Sequence, residues 1–135
     1  MPTAFHSKLK NSIDKMVDDA YSLSLRFPKD EIHGAVSQLR RAALSVALNY
    51  TEGFARKSRA VNRNFADIAY GSVQESKYIV SFAVRQGWST DADVKGLLEN
   101  LDEVGRMLWG ILARSIKSEA KLDKAADKTA MSRAA

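Results

Sequence analysis

The chain has 135 residues, the length of one ordinary domain, and its lack of cysteine excludes disulfides, thiolate metal ligands and thiol catalysis. Its 21 Lys and Arg residues outnumber its 16 Asp and Glu residues, and the net charge of +5 is compatible with polyanion binding. No stretch has the about 20 apolar residues of a membrane span or the pattern of a signal peptide. We therefore expect a cytoplasmic protein that makes no membrane contact.

Apolar residues recur at three- and four-residue steps, and only two prolines and seven glycines interrupt the chain. This pattern predicts an all-α protein. The first predicted helix spans about Phe5 to Arg26, and Phe27-Pro28 ends it because proline disfavours helix at the preceding residue.

Polar residues and glycine mark the ends of the next two helices. The second predicted helix begins between Asp30 and Ser37 and ends near residues 57–59. The third spans about residues 60–86, and Gly87 follows it as a residue that can adopt positive φ. Candidate N-caps for the fourth helix come directly afterwards, at Ser89, Thr90 and Asp91.

The fourth predicted helix has the clearest pattern. Its apolar residues alternate three- and four-residue steps, as in a bundle helix: Val94, Leu97, Leu101, Val104, Leu108 and Ile111. From Lys117 the apolar face ends, so we divide the chain into a bundle over residues 1–117 and a basic, flexible tail over residues 118–135. Short connections between consecutive helices predict an antiparallel up-and-down four-helix bundle.

The second and fourth helices have apolar or small residues on more than one side. A lone bundle needs one buried stripe per helix, so the surplus has two explanations: a wide core-facing stripe, or contacts between subunits. The sequence leaves both open. The surplus residues are Leu44, Ala47 and Leu48 on the second helix, and Leu98, Gly105, Leu112 and Ile116 on the fourth.

The sequence shows no pattern of catalytic or metal-binding residues. His6 and His33 are far apart, and neither has a second His or a Glu at the spacing of a helical metal site. No Gly-rich phosphate loop or nucleophile motif is present. We therefore expect a protein that is not an enzyme and holds no metal or cofactor.

Basic side chains concentrate near the predicted turn between the second and third helices and along the end of the fourth. Arg and Lys contact phosphates without reading bases, so these residues are candidates for binding RNA or DNA. The alternative is an ordinary solvated surface at helix ends. The candidates are Arg40, Arg56, Lys57, Arg59, Arg63, Arg114, Lys117 and Lys121.

Aromatic residues at helical spacing are interpreted as core or interface residues, not as stacking platforms for bases. They are Phe54, Phe65, Tyr70, Tyr78, Phe82 and Trp109. A polar stripe on the second helix also has two interpretations. It is either the solvent face, or a network in which Arg41 pairs with Glu52 and Asn49 orients them to fix helix register or subunit geometry.

Residues of the second and third helices resemble a known family. The resemblance rests on Gln38-Leu39-Arg40-Arg41-Ala42-Ala43, Ser45, Asn49, Glu52-Gly53-Phe54, Arg56, Ser58, Phe65, Ile68-Ala69 and Gly71-Ser72. The chain resembles the bacterial four-helix-bundle family of the intervening-sequence proteins, which are encoded within insertions in large-subunit ribosomal RNA genes. The resemblance covers about Tyr21 to Ile116.

This resemblance implies an up-and-down bundle that assembles as a ring-like homopentamer. The family is also similar to the accessory variability protein of diversity-generating retroelements, a basic pentamer that binds nucleic acid and a reverse transcriptase. The resemblance further implies that Arg41, Asn49 and Glu52 form a structural polar set. It also implies that Gly53 and Gly71 are sites of close helix approach. The family often has a proline within the stretch that reads Val46-Ala47-Leu48 here, which predicts a straighter second helix in this chain.

Two classes of function remain. The first is a non-enzymatic, oligomeric accessory protein that binds the backbone of RNA or DNA through its basic surface. The second is a protein-interaction scaffold, for example an accessory subunit of a polymerase or reverse transcriptase, with no direct nucleic-acid role. The sequence does not distinguish RNA from DNA, because it shows no element that reads bases or 2′-hydroxyl groups.

Overall fold

The computed structural model describes residues 3–134. Residues 1 and 2 of the predicted bundle and residue 135 of the predicted tail lie outside the described part. Over that part the chain forms four α-helices and no strand, which confirms the all-α prediction. A single 3-10 turn at Lys29–Glu31 lies between the first two helices. The helices are α1 (Ala4–Ser24), α2 (Ala35–Ala55), α3 (Arg59–Arg85) and α4 (Asp91–Ala134).

Polar side chains begin three of the helices by accepting a backbone N–H of the first turn. The pairs are Thr3 with His6 at 3.2 Å, Ser58 with Val61 at 3.4 Å, and Thr90 with Asp93 at 3.2 Å. Thr90 was one of the three candidate caps. After α3, Gly87 has a φ of 77°, which confirms the expected left-handed residue at that helix end.

The start of α2 depends on a close approach at Gly34. The Glu31 carboxylate accepts the backbone N–H of Ala35 at 3.0 Å, and a Cβ on Gly34 would collide with that carboxylate. Glycine at this position therefore leaves room for an acidic cap where the helix begins. The start at Ala35 lies within the predicted interval.

The four helices pack in an antiparallel cycle in which α1 and α3 each contact both α2 and α4. Core side chains come from every helix, and burying each large one contributes about 1.5–3 kcal/mol to folding. At one end of the bundle, the Trp88 ring lies 5.1 Å from the Phe27 ring and 5.5 Å from the Phe82 ring. The core residues that are at most 2% exposed include Leu9, Ile13, Met16, Leu39, Val46, Val73, Val80, Val94, Leu101 and Leu108.

Helix α4 is longer than the bundle. Its last buried residue is Leu112, and every described residue from Ala120 onward is exposed. We call residues 120–134 the α4 extension; at 1.5 Å per residue it reaches about 22 Å past the packed part. The helix therefore continues through the predicted boundary at residue 117, and the last half-buried residues of α4 are Ser118 and Glu119. The helix continues because no glycine or proline follows Gly110. The flexibility of this segment stays a prediction.

The surplus apolar residues divide into two groups. Gly105 and Leu112 are buried in the chain's own core, and Ala47 and Leu98 are partly buried against it, which a wide core-facing stripe explains. Leu44, Leu48 and Ile116 are 39%, 60% and 55% exposed. Within the described residues, the side chains of this second group are not buried by any other part of the chain. No helix among residues 3–134 has the length and hydropathy needed to cross a membrane.

The two glycines singled out by the family resemblance differ in their surroundings. Gly53 is buried, and a Cβ placed there would lie 2.8 Å from the Cβ of Phe65. That spacing confirms a close approach between α2 and α3. Gly71 is exposed, and nothing lies within 4 Å of its Cβ position, so it approaches no other helix within the chain.

Candidate nucleic-acid interface

The fold brings seven of the eight basic candidates to one end of the bundle. Helix α2 ends and α3 begins at this end, and α4 passes it on the way to its extension. The contact between Arg63 on α3 and Glu119 on α4 lies at this end. We call the seven residues the basic end: Arg56, Lys57, Arg59, Arg63, Arg114, Lys117 and Lys121.

Three arginines of the basic end line one open groove. Arg59, Arg63 and Arg114 surround a depression of about 480 Å³ between α3 and α4. Arg114 also lies over the Phe5 ring, with its guanidinium carbon 5.1 Å from the ring centroid. The ring therefore helps to position this guanidinium at the groove. We call this depression the arginine groove.

Acidic partners neutralise only part of the basic end. Arg56 pairs with Glu52, and Arg63 pairs with Glu119. Within residues 3–134 the other five basic side chains form no ion pair. Those five remain available to a polyanion.

The basic character continues onto the α4 extension. Five basic residues follow alternating three- and four-residue steps, so they share one face of the helix. The acidic Glu119, Asp123 and Asp127 repeat every four residues on another face. Lys124 continues the basic series of the fourth helix, and Lys128, which the sequence prediction did not include, follows at the same spacing. The five residues, which we call the basic stripe, are Arg114, Lys117, Lys121, Lys124 and Lys128.

Arg40 does not join the basic end. Its Nε donates to Ser24 Oγ at 2.9 Å, and its guanidinium carbon lies 5.0 Å from the Tyr21 ring centroid. It precedes Arg56 by 16 residues on the same helix, a separation of about 24 Å. In this structure, Arg40 connects α2 to the end of α1.

The polar set of α2 differs from the predicted network. Glu52 pairs with Arg56, and Arg41 is exposed with no ion-pair partner among the described residues. The predicted pair of Arg41 with Glu52 is wrong within the chain, because eleven residues of helix separate them by about 16 Å. Asn49 does take part in a network: its Nδ2 donates to Ser45 O at 2.8 Å and to Ser45 Oγ at 2.9 Å.

That network continues onto the neighbouring helix. Ser72 Oγ donates to Ser45 Oγ at 2.9 Å, which joins α3 to α2. Ser76 Oγ then donates to the carbonyl of Ser72 at 2.8 Å. Small hydroxyl groups therefore satisfy one another between two closely packed helices, where longer polar side chains would not fit.

An aromatic pocket lies beside the basic end. The Nδ1 atom of His6 is 2.7 Å from the Tyr50 hydroxyl, and the His6 and Phe54 rings lie 4.7 Å apart. We call this cavity, of about 220 Å³, the aromatic pocket. Phe54 is 52% exposed, so of the two predicted roles, core or interface, this ring does not have the core role within its own chain. Sequence analysis could not detect the pocket, because His6 and Tyr50 are 44 residues apart.

Burial shifts the pKa values of two ionisable groups in the aromatic pocket. Burial, with the positive charge of Arg114 as a smaller cause, lowers the pKa of His6 below its ordinary 6.5. Burial raises the pKa of Tyr50 above 10.0. Both shifts favour the neutral form of the group. At neutral pH the pocket therefore presents uncharged rings next to the charged arginine groove.

The groups gathered here suit binding. Among residues 3–134, no three His, Asp or Glu side chains lie close enough together to hold a metal ion. The basic end offers positive charges and N–H donors, which bind phosphates. The aromatic pocket offers ring faces, on which flat heterocycles stack.

The comparisons with known proteins agree with the fold. A family model described as 23S rRNA-intervening sequence protein matches residues 7–110. A crystal structure at 1.70 Å resolution of a protein of unknown function from the S23 ribosomal protein family of Bacteroides thetaiotaomicron has a similar fold. Its TM-score is 0.69 at 18% identity, over 77% of this chain and 97% of that one. No curated protein matches the chain. The family match extends over most of the bundle, and the chain belongs to the family of the 23S rRNA-intervening sequence proteins.

Proposed function

We propose that this protein binds the phosphate backbone of RNA or DNA through the basic end and the basic stripe, without catalysing a reaction. The main support is the convergence of basic side chains from α2, α3 and α4 on one end of the bundle. A surface of this kind gains affinity by releasing the counterions of the phosphates, whatever the base sequence. The name of the family makes RNA the first ligand to test.

The distribution of charge also supports this proposal. Residues 56–63 contain four basic residues and no acidic one, and residues 114–134 contain six basic and three acidic residues. These two segments therefore have net charges of +4 and +3, against +5 for the whole chain, which leaves −2 for all other residues. The net positive charge is thus confined to one end of the molecule and the α4 extension, which favours polyanion binding there and not over the whole surface.

We also propose that the chain is a subunit of the ring-like homopentamer that the family resemblance implies. Leu44 and Leu48 support this, because they leave an apolar strip uncovered on α2. Five copies of the basic end in one ring would contact one nucleic acid at several points. Weak individual contacts would then add up to strong binding.

A salt titration tests the nucleic-acid proposal. Fluorescence anisotropy measures the affinity for labelled RNA and DNA, first for the wild type and then for a triple variant, Lys57→Gln with Arg59→Gln and Lys117→Gln. All three side chains are exposed and form no ion pair among the described residues. We expect at least about tenfold weaker binding by the variant and a salt dependence reduced by about one unit of slope per lost phosphate contact.

The matched control removes three positive charges away from the basic end, with Lys15→Gln, Lys29→Gln and Lys95→Gln. All three side chains are exposed; Lys15 and Lys95 lie in α1 and α4, and Lys29 lies in the 3-10 turn after α1. We expect this control to lose far less affinity. Absence of binding by the wild type at low salt, or an equal loss in the control, contradicts the proposal.

A protein-interaction scaffold is the second candidate function. It is favoured by Trp109, which is 56% exposed and lies 5.5 Å from the Tyr70 ring. Exposed tryptophan is typical of interface centres. A nuclease-treated pull-down from the native host, with Trp109→Ala as the control, tests this role. A protein that stays bound to the wild type after nuclease treatment and is lost with Trp109→Ala supports the scaffold.

A further inference from the structure

We infer that the aromatic pocket holds one unstacked base of a single-stranded nucleic acid while the arginine groove holds the adjoining phosphates. This inference rests on the proposed function and names its ligand class: single strands and loops, in preference to a continuous duplex. It uses residues outside the basic end, above all His6, Tyr50, Phe54 and Asn62.

The size and lining of the pocket support a single base. Its volume of about 220 Å³ lies below the roughly 300–1,000 Å³ of pockets for drug-sized ligands, so it suits one heterocycle. The rings of His6, Tyr50 and Phe54 form its aromatic wall, and Ile111 lies on the lining as an apolar residue. The Phe54 ring remains half-exposed, and a stacked base would cover it.

One residue of the pocket lining carries an unpaired acceptor. Asn62 lines the pocket, and its Oδ1 is buried without a hydrogen-bond partner within the described residues. Buried acceptors of this kind are rare in folded proteins because leaving them unpaired is costly. Each standard nucleobase has an amino or imino N–H that could donate to this oxygen.

The pocket and the groove form one continuous surface. His6, Asn62 and Ile111 line both of them, so a base in the pocket has its sugar–phosphate linkage next to the groove. Ser115 also lines the groove, and its Oγ is buried without a partner among residues 3–134. Arg59, Arg63 and Arg114 supply the positive charge there. A nucleotide has a partner for each of the two: its base for the ring faces and its phosphate for the positive charges.

Strand selectivity follows from access. The bases of a duplex are paired and stacked, so one of them must leave the stack to enter the pocket. A single strand or a loop presents its bases without that cost. The basic end alone would bind duplexes and single strands alike, since both carry phosphates. Base binding in the pocket therefore predicts a preference for single strands, and backbone binding alone does not.

The experiment uses a single-stranded RNA in which one 2-aminopurine lies between two abasic sugars, so that this base starts unstacked and its fluorescence falls when it stacks on the protein. We expect the wild-type protein to quench it and Phe54→Leu to bind at least about fivefold more weakly without quenching. Tyr78→Leu is the matched control, because Tyr78 is another exposed aromatic residue, 66% exposed, near the opposite end of α3. We expect it to behave as the wild type does. His6→Ala is a second variant of the pocket with the same expected loss.

A strand with abasic sugars separates this inference from the proposed function. It keeps the phosphates and lacks the bases, so we expect the wild type to bind it at least about fivefold more weakly than the intact strand. Equal affinity for the two strands, or quenching that survives in both pocket variants, overturns the inference and leaves backbone binding in place. The proposed function fails in a different way, through the absence of salt-dependent binding to either strand.

Discussion

Arg63 of α3 donates a hydrogen bond to the carboxylate of Glu119 on α4, 56 residues later in the chain. The contact joins the two helices where α4 leaves the bundle, one residue before the α4 extension. Both side chains are about one-third exposed, so solvent screening limits the stabilisation to about 1 kcal/mol or less. The carboxylate also neutralises one of the three arginines that line the arginine groove.

Replacing Glu119 by Gln should strengthen the binding of RNA. The change releases Arg63 and removes a negative charge from the groove, so we expect an affinity gain on the order of threefold at low salt, shrinking as salt rises. The matched control is Glu99→Gln, which removes the same charge from an exposed pair with Lys95. Anisotropy titrations at two salt concentrations measure both variants. Unchanged or weaker binding by Glu119→Gln would contradict this expectation.

Truncation of the chain after Glu119, which removes residues 120–135, should separate binding from stability. Every residue of the α4 extension is exposed, so we expect the free energy of unfolding to change by less than about 0.5 kcal/mol. The deletion also removes Lys121, Lys124 and Lys128, and the salt dependence of RNA binding should become less steep. Thermal melts and anisotropy titrations measure the two effects. A full-length variant with these three lysines changed to Gln shows whether charge alone is responsible; an unchanged salt slope in both would argue against a role for the basic stripe.

The sequence predicted the elements well because most helix ends carry a chemical marker. Pro28, Gly87 and Thr90 each mark a boundary that the structure confirms to within a few residues. The end of α4 carries no such marker. Its apolar face stops before the helix does, since local propensity maintains the helix after packing ends.

The candidate site was predictable only where it is local in sequence. Arg56 to Arg63 lie around one turn, so their clustering is visible without a structure. The hydrogen bond of Arg40 to Ser24 spans 16 residues, and that of His6 to Tyr50 spans 44. Contacts of this kind depend on which helices become neighbours, and periodicity within one helix does not reveal them.

The stability of the protein should depend on the protonation of His6. Its pKa is lowered, by burial first and by Arg114 second, so the unfolded chain binds this proton more readily than the folded one. The free energy of unfolding should therefore fall as the pH decreases through about 6.5, and fall less in His6→Gln. Urea denaturation at pH 7 and pH 5 measures the difference between the two proteins.

Arg114→Gln separates the two causes of the lowered pKa of His6, burial and the charge of Arg114. It removes the charge and leaves the burial, so the pKa of His6, followed by its NMR signal, should rise only part of the way to 6.5. A pKa of His6 at or above 6.5 in the wild type would contradict both expectations.

Two glycine substitutions should change stability in opposite directions. Gly53→Ala places a Cβ 2.8 Å from the Cβ of Phe65, so we expect a loss of about 1–3 kcal/mol through overpacking. Gly71→Ala adds a methyl group in open space within a helix, and we expect a gain of about 0.5–1 kcal/mol. Chemical denaturation measures both. Similar shifts for the two variants would show that the close approach of α2 and α3 is not the cause.

Light scattering should give the wild type a mass of five times the 14.9 kDa chain. Leu48→Lys should reduce that mass without a loss of helicity, because Leu48 is 60% exposed within its own chain. Leu25→Lys is the matched control, since Leu25 is 76% exposed at the end of α1, away from the α2 strip. A wild-type mass of one chain, or equal dissociation by both variants, would rule out assembly through this strip.

The α4 extension allows binding to be observed in the unlabelled protein. Its lysines stand one turn apart on a helix without packing partners, and their mutual repulsion opposes the helix. A polyanion that neutralises them removes this repulsion, so binding and helix formation strengthen each other. The helical circular dichroism of the unlabelled protein should therefore persist to a higher temperature when RNA is bound. The extension would report contact with a polyanion through its own resistance to melting.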